Sequence, residues 1–315
     1  MYHLKSASDF RAEARSALRG NWWIGALTAL AASFLGASTM FNAATIGDGG
    51  VFRSVTENLG LYPESQRAAI VMGALVISAI VFVINLAIFI IAGPISFGYI
   101  NFNMKMLDGE KPRFKDLFSE FKRFKDGFSV IFFRWLFVLL WAIPAIIVAV
   151  IIMLLFSFLS LFGKAGMFLF MVLCFCVGVA ASIFIYIKML DYALASYVSY
   201  EYPGIGGREA LRESKLLMKD NKARLFGLTI SFIGWNILSY LPYIVCMFWN
   251  PKAVLFSLPF CIGAIWVKAY MEVAYMAFYR QMKEEKNAKY RNQTEEYENK
   301  LEDVDCVVEQ PRWNY

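Results

Sequence analysis

Six long apolar tracts decide what this chain can fold into. They run from Trp22 to Phe41, Ala68 to Ile100, Phe128 to Phe162, Ala165 to Tyr200, Leu225 to Trp249 and Ala253 to Tyr279. Each has about 20 residues or more, enough for an α-helix rising about 1.5 Å per residue to cross a ~30 Å hydrocarbon core. A soluble fold of 315 residues has no use for six such tracts. The expected fold class is all-α, a polytopic membrane helical bundle with six transmembrane helices. It spans residues 1–283, with a polar tail over 284–315. Charged residues make up only 18% of the chain, against roughly 25% in soluble domains, which agrees. The first tract is no secretory signal: about 20 residues that include Asp9 and Glu13 precede it.

Lysine and arginine set the expected orientation. Lys5, Arg11, Arg15 and Arg19 precede the first tract. Lys105, Lys111, Arg113, Lys115, Lys122, Arg123 and Lys125 lie between tracts two and three. Arg208, Arg212, Lys215, Lys219, Lys222 and Arg224 lie between tracts four and five, and Arg280, Lys283, Lys286, Lys289 and Arg291 open the tail. The opposite side holds only Arg53, Arg67, Lys164 and Lys252. The bias keeps its sign at every crossing, so both termini are expected in the cytoplasm.

The basic segments have helical patterning. Phe114, Leu117, Phe118, Phe121 and Phe124 fall on one face of a 3.6-residue helix, with Lys115, Lys122 and Lys125 away from it. Ser6 and Asp9 form a capping box ahead of Arg11, Arg15 and Arg19 at i+4 spacing. Arg208, Arg212, Lys215 and Lys219 run beside Leu211, Ser214 and Met218. Such elbows lie in the headgroup plane, apolar face down, with cations toward anionic lipid. They either fix topology alone or dock a headgroup or partner through Arg11, Arg15, Arg19, Lys115, Lys122, Arg212, Lys215 and Lys219.

Elbow plus two tracts recurs three times. Leu18-Arg19-Gly20-Asn21 matches Met218-Lys219-Asp220-Asn221, and Lys125-Asp126-Gly127 ends the middle elbow in a related way. Pro144 and Pro242 sit inside tracts three and five, where each removes a helix donor and favours a kink. The first external loop carries the turn-prone Gly47-Asp48-Gly49-Gly50, and the others are tight hairpins at Gly163–Gly166 and Asn250–Lys252. Beyond Lys283 the acid-rich tail is expected to extend tract six briefly and then pass into disorder.

Charges inside apolar tracts are the places to look for chemistry, because each costs about 2.5–3.5 kcal/mol at the bilayer centre. Lys188 and Asp191 sit at i, i+3 in tract four, and Lys268 and Glu272 at i, i+4 in tract six. They either line an inward-opening polar cavity or neutralise each other to lock helices together. Arg134, two turns into tract three, is expected to snorkel.

Other motifs fall away. His3 is the sole histidine, which removes His-based catalysis and most zinc sites. Cys174 and Cys176 face apart on a helix, Cys246 and Cys261 lie in apolar tracts and Cys306 in the tail, so no redox pair forms. Gly204–Gly207 follows no strand and reads as a turn. No cofactor, metal or nucleic acid is expected, and basic patches beside a membrane point to lipid.

Gly93-Pro94-Ile-Ser-Phe-Gly98-Tyr99, Gly109-Glu110 and Asp116-Leu-Phe118 resemble the first hallmark of a bacterial membrane family known only as domain of unknown function 975. Ala210-Leu-Arg-Glu-Ser214, then Leu217–Asn221, Arg224-Leu-Phe226 and Ser231–Trp235, resemble its second hallmark. Asn21-Trp22-Trp23 and Ala277-Phe-Tyr279 match its ends, and Asp220 stands where the family usually has glycine. The resemblance covers roughly residues 7 to 283. It implies a bacterial cytoplasmic membrane and six helices, and no established activity. A more distant likeness is to the membrane domain of some glycerophosphodiester phosphodiesterases, whose catalytic barrel and metal ligands are absent here.

Two function classes follow. One is a non-enzymatic membrane or envelope module that binds lipid or a protein partner. The other is a carrier or exporter of a small amphiphile through a cavity at Lys188, Asp191, Lys268 and Glu272. A module has these charges closed on one another; a carrier has them lining one continuous cavity. The module is favoured, because no tract has the paired broken-helix pattern of secondary transporters. An enzyme would need a nucleophile or metal set that the sequence lacks.

Overall fold

A computed structural model of the chain describes residues 5–37, 63–249 and 263–308. The first external loop, the Asn250–Lys252 hairpin, His3, Cys261 and the last residues of the tail fall outside the described residues. Among the described residues all regular structure is helical. Helix α1 spans Ala7–Leu18, α2 Trp22–Phe34 and α3 Glu64–Leu107. A 310 elbow, Phe114–Arg123, leads into α4, Phe124–Phe156. A second 310 turn, Ser157–Leu161, precedes α5, Gly163–Asp191, which is followed by α6, Ala195–Glu201. The remaining helices are α7, Gly207–Met218; α8, Lys222–Ile230; α9, Ile233–Trp249; and α10, Gly263–Val308.

Four stretches are long and apolar enough to cross a membrane: Glu64–Leu107, Phe114–Leu159, Gly163–Glu201 and Lys222–Cys246. Six were expected. The described part of tract one is the 13-residue α2, which is apolar but short. The described part of tract six is the start of α10, which is half-buried over residues 263–268 and then passes into the core. From Ala269 to Met282 every residue except Met271 and Arg280 is buried. Small residues at Ala269, Ala274 and Ala277 let neighbours approach α10 from all sides, and its length makes it the axis of the fold.

The core gathers at one end of the apolar helices. Phe10, Ala14 and Leu18 of α1 pack at i, i+4 and i+8 against α10, where Phe10 meets Phe278 edge-on at 5.5 Å. Residues Ala92–Tyr99 of α3, the elbow's Leu117, Tyr197 of α6, Ala210, Leu211 and Met218 of α7, and Leu225 of α8 complete this hub. Beyond it the helices become bare apolar arms. No residue is buried in the most apolar stretch of Phe114–Leu159 or Gly163–Glu201. Leu154 and Phe175 are 67% and 73% exposed, so the arms make an apolar surface far larger than a soluble monomer tolerates.

Glycines of the first hallmark set the hub's closest approaches. A Cβ at Gly98 would lie 1.9 Å from the carbonyl oxygen of Leu117, and one at Gly93 would lie 2.3 Å from the carbonyl carbon of Gly127. The α3 backbone therefore touches the elbow and crosses α4 with no side chain between. This explains why Lys125-Asp126-Gly127 does not turn as the other elbow ends do: Gly127 sits inside α4, at the crossing. The other two elbow ends do share a turn. Asn21 and Asn221 donate their N–H groups to Leu18 and Met218, and accept from Gly25 and Leu225. Gly20 has φ +85° there, whereas Asp220 makes its turn at negative φ.

Three further differences concern the elbows and the tail. The middle elbow is a 310 helix, started by Arg113 N–H donating to the Asp116 carboxylate at 2.8 Å. The apolar faces of α1 and α7 pack on the hub and not on lipid; only Phe114, Phe118 and Phe121 of the middle elbow keep an exposed apolar face. The tail stays helical to Val308, well past the short extension expected.

Candidate functional site

The hub sorts the basic residues into two sets. In the first, each cation holds two elements together. Arg123 donates to the carbonyls of Ser199 and Tyr200, both at 2.8 Å, and lies over the Phe97 ring at 5.1 Å. This fastens the middle elbow to the end of α6. Arg224 makes a forked pair with Glu285 at 3.0 to 3.1 Å, joining α8 to α10. Lys105 pairs with Asp116 at 3.2 Å, Arg280 with Asp108 at 2.7 Å, Lys283 with Glu201 and Lys286 with Glu213. The sequence counts these cations but does not say which of them turn inward.

The second set faces out. Arg15, Arg19, Lys115, Lys122, Lys215 and Lys219 are exposed and make no ion pair among the described residues. Arg212 is also exposed, with only a loose 3.7 Å pair to Glu209. Arg11 is half-buried, its guanidinium 3.5 Å from the Ser231 carbonyl. The eight candidate headgroup contacts thus lie on α1, the middle elbow and α7, the three elements that frame the hub.

The intramembrane charges are not paired along their own helices. Asp191 is buried and meets Lys222 of α8 at 2.5 Å. Lys188 points the other way, its Nζ 4.0 Å from the Trp141 ring centroid. The helix is interrupted at Tyr192–Leu194, so α5 ends at Asp191, whose carboxylate faces α8. Ser214 of α7 mends that break: its hydroxyl donates to the Asp191 carbonyl at 2.9 Å and accepts from Leu194 N–H at 3.1 Å. A second break, at Ser231–Phe232, separates α8 from α9. Two interrupted helices were not legible in the apolar pattern.

Glu272 is 3% exposed in the first quarter of α10, where its charge acts on Arg134, Tyr99 and Tyr275. Lys268, half-buried one turn earlier, makes no ion pair among the described residues. Arg134 does not snorkel: it is buried, with Nη1 3.4 Å from the Ser196 hydroxyl. Around these charges lie Tyr197 and Tyr279, stacked at 5.2 Å, and the Tyr279 hydroxyl donates to Glu201 at 2.6 Å. Arg134 and Glu272 lie 138 residues apart in sequence, so no local spacing rule brings the field of one to the other.

Lateral grooves open between the arms. One of about 630 Å³ lies between α5 and α8 beside Tyr186 and Lys222. Another, about 490 Å³, lies among Arg15, Trp22, Trp235, Trp266 and Tyr270, and a third of about 380 Å³ between α4 and α5 is lined only by apolar side chains.

A buried, internally neutralised hub carrying four long apolar arms and an outer ring of cations fits an all-helical membrane-embedded protein. The match to known families narrows this. The family model described as protein of unknown function (DUF975) matches residues 1–286, and the chain belongs to that family. No curated protein and no solved structure matches it.

Proposed function

We propose that the protein is a non-enzymatic integral-membrane module whose hub sits at the lipid–water boundary and holds anionic lipid, or a partner presented there, with the cations of its elbows. The observation that carries this reading is the division of the basic residues. The hub cations are consumed in ion pairs and carbonyl contacts, while the elbow cations on three separate elements are left outward beside exposed apolar arms. A cation near an anionic membrane surface contributes about 1 kcal/mol. Seven outward cations therefore suffice for a strong preference even after screening. In this reading the chain crosses a bacterial plasma membrane six times, with both termini in the cytoplasm, as its charge bias requires.

The charges in the spans support a module over a carrier. Asp191 is closed on Lys222, Lys188 lies over the Trp141 ring and Glu272 is buried in the hub, so three of the four have surroundings inside the packing, while Lys268 is half-buried and makes no ion pair among the described residues. The carrier reading draws its support from the breaks at Tyr192–Leu194 and Ser231–Phe232, which resemble the discontinuous helices of transporters. Native mass spectrometry of the purified full chain tests the choice. Wild type is expected to retain anionic lipid, and a variant with Lys115, Lys122, Lys215 and Lys219 changed to glutamine is expected to lose most of it. Equal retention by both would refute the elbow reading.

A further inference from the structure

Of the three lateral grooves, one joins an apolar wall to an unused charge. Among the described residues the only cation lining the groove between α5 and α8, Lys222, is already taken by Asp191, and none lines the groove between α4 and α5. The groove of about 490 Å³ framed by α1, α2, α9 and α10 is different. Arg15 stands at its edge, exposed, with no ion pair among the described residues, and its charge reaches Tyr270. Among the described residues no carboxylate lines it. Arg11 lies one turn before Arg15 on α1, and Arg19 caps the end of that helix.

The wall below Arg15 is aromatic and braced. Trp22 meets Tyr270 edge-on at 6.1 Å, Phe232 backs Tyr270 at 4.9 Å, and Trp23 meets Trp266 at 5.0 Å. The Tyr270 hydroxyl donates to the Arg11 carbonyl at 3.0 Å, which pins this end of α1 to α10. From Tyr270 through Trp266 to Gly263 the lining follows one face of α10 for two turns, about 10 Å along the helix. Trp235, Leu238 and Ser239 keep the same spacing on α9. The groove therefore starts at a cation beside interfacial tryptophans and runs along the apolar helices, a polarity that fits an amphiphile with an anionic head.

We propose that this groove is a binding site for an anionic phospholipid, with the phosphate at Arg15 and an acyl chain along Trp22, Trp235 and Trp266. The proposal rests on the lipid-binding reading above and gives it one defined site and one lipid class.

The test uses the full-length protein in vesicles. Bromine on an acyl chain quenches tryptophan on contact, so brominated phosphatidylglycerol is titrated against brominated phosphatidylcholine. For wild type, half-quenching is expected at about fivefold lower mole fraction of the anionic lipid, the preference one interfacial cation provides. Arg15→Gln, an exposed change whose fold is checked by its melt, should bring the two lipids within twofold of each other. Ser239→Phe fills the groove without touching Arg15 and should weaken quenching by both. Inorganic phosphate at matched ionic strength should displace neither. Equal quenching of wild type by both lipids, or an anionic preference that survives Arg15→Gln, overturns the site, and displacement by phosphate overturns the lipid as its occupant. A preference that survives Arg15→Gln but vanishes in the Lys115, Lys122, Lys215 and Lys219 variant would remove the groove and leave the broader reading standing.

Discussion

Gly98→Ala adds one methyl group where the structure has no room for it. The new Cβ would lie 1.9 Å from the Leu117 carbonyl oxygen and 2.5 Å from its carbon, whereas ordinary contacts begin at 3.4 Å. Helix and elbow must separate by about 1.5 Å to admit it. The obstacle is backbone, so no rotamer change relieves the clash. The elbow is also held from both ends, by Lys105 on Asp116 and by Arg123 on the Ser199 and Tyr200 carbonyls. Overpacking a core costs about 1–3 kcal/mol, occasionally more, and a clash against tethered backbone belongs at the upper end of that range. Gly73 in the same helix is the control. A Cβ there meets nothing within 4 Å, so Gly73→Ala should stabilise by about 0.5–1 kcal/mol through the unfolded chain's entropy. Thermal melts in one detergent should move in opposite directions, with Gly98→Ala lower by roughly 6 °C or more at 2–4 °C per kcal/mol. A fluorophore at Lys115 should report the elbow loosening in Gly98→Ala alone. Two variants that melt together would mean that α3 and the elbow do not meet at Gly98, and the account of the first hallmark would fall with that contact.

Ser214→Ala removes the hydroxyl that serves both the Asp191 carbonyl and Leu194 N–H, so its melt should report a loss of about 1–3 kcal/mol while Ser214→Thr recovers part of it. Glu272→Leu removes a buried charge whose field reaches Arg134 and should lower the melt, whereas Glu272→Leu with Arg134→Met should melt above the single variant; a double variant as unstable as the single would show that the two charges do not answer each other. Phe118→Asp with Phe121→Asp replaces the exposed apolar face of the middle elbow by like charge against anionic lipid, and a fluorophore at Lys115 should shift to a more aqueous emission, no shift meaning that the elbow does not touch the membrane. Cysteines at Asp48 and Lys252 should label with an impermeant reagent in intact cells and those at Lys115 and Arg212 only after lysis; labelling of Lys115 from outside would reverse the orientation.

Apolar runs and amphipathic faces were legible in the sequence because each is a property of neighbours a few residues apart. The four long apolar stretches appear where hydropathy placed them, and α7 buries Ala210, Leu211, Ser214 and Met218 while Arg208, Arg212, Lys215 and Lys219 stay out, as its pattern requires. What failed was every inference that needed to know which helix lies opposite. Lys188 and Asp191 have the spacing of a helical pair, yet a pair at i, i+3 forms only if the helix continues and nothing better faces the acid. Here α5 ends at Asp191, and Lys222 comes from across the hub. A position near a helix end suggests that Arg134 reaches water, but it is buried, with the Ser196 hydroxyl at 3.4 Å and within the field of Glu272.

The hallmark glycines follow the same logic. Gly93 and Gly98 look like helix-weakening residues until Gly127 and Leu117 are brought against them, and only then does the missing side chain become a requirement. The same holds for tract six. Its polar interruptions at Lys268 and Glu272 suggested a lined cavity in a lipid-facing helix, whereas alanines at 269, 274 and 277 let the other helices close around it. Within the buried stretch from Ala269 to Met282 the charge of Glu272 is enclosed by protein, while Lys268 just before it is half-buried. Exchange with the membrane is then left to the bare arms, the outward cations and the groove at Arg15, where the half-buried start of α10 forms one wall.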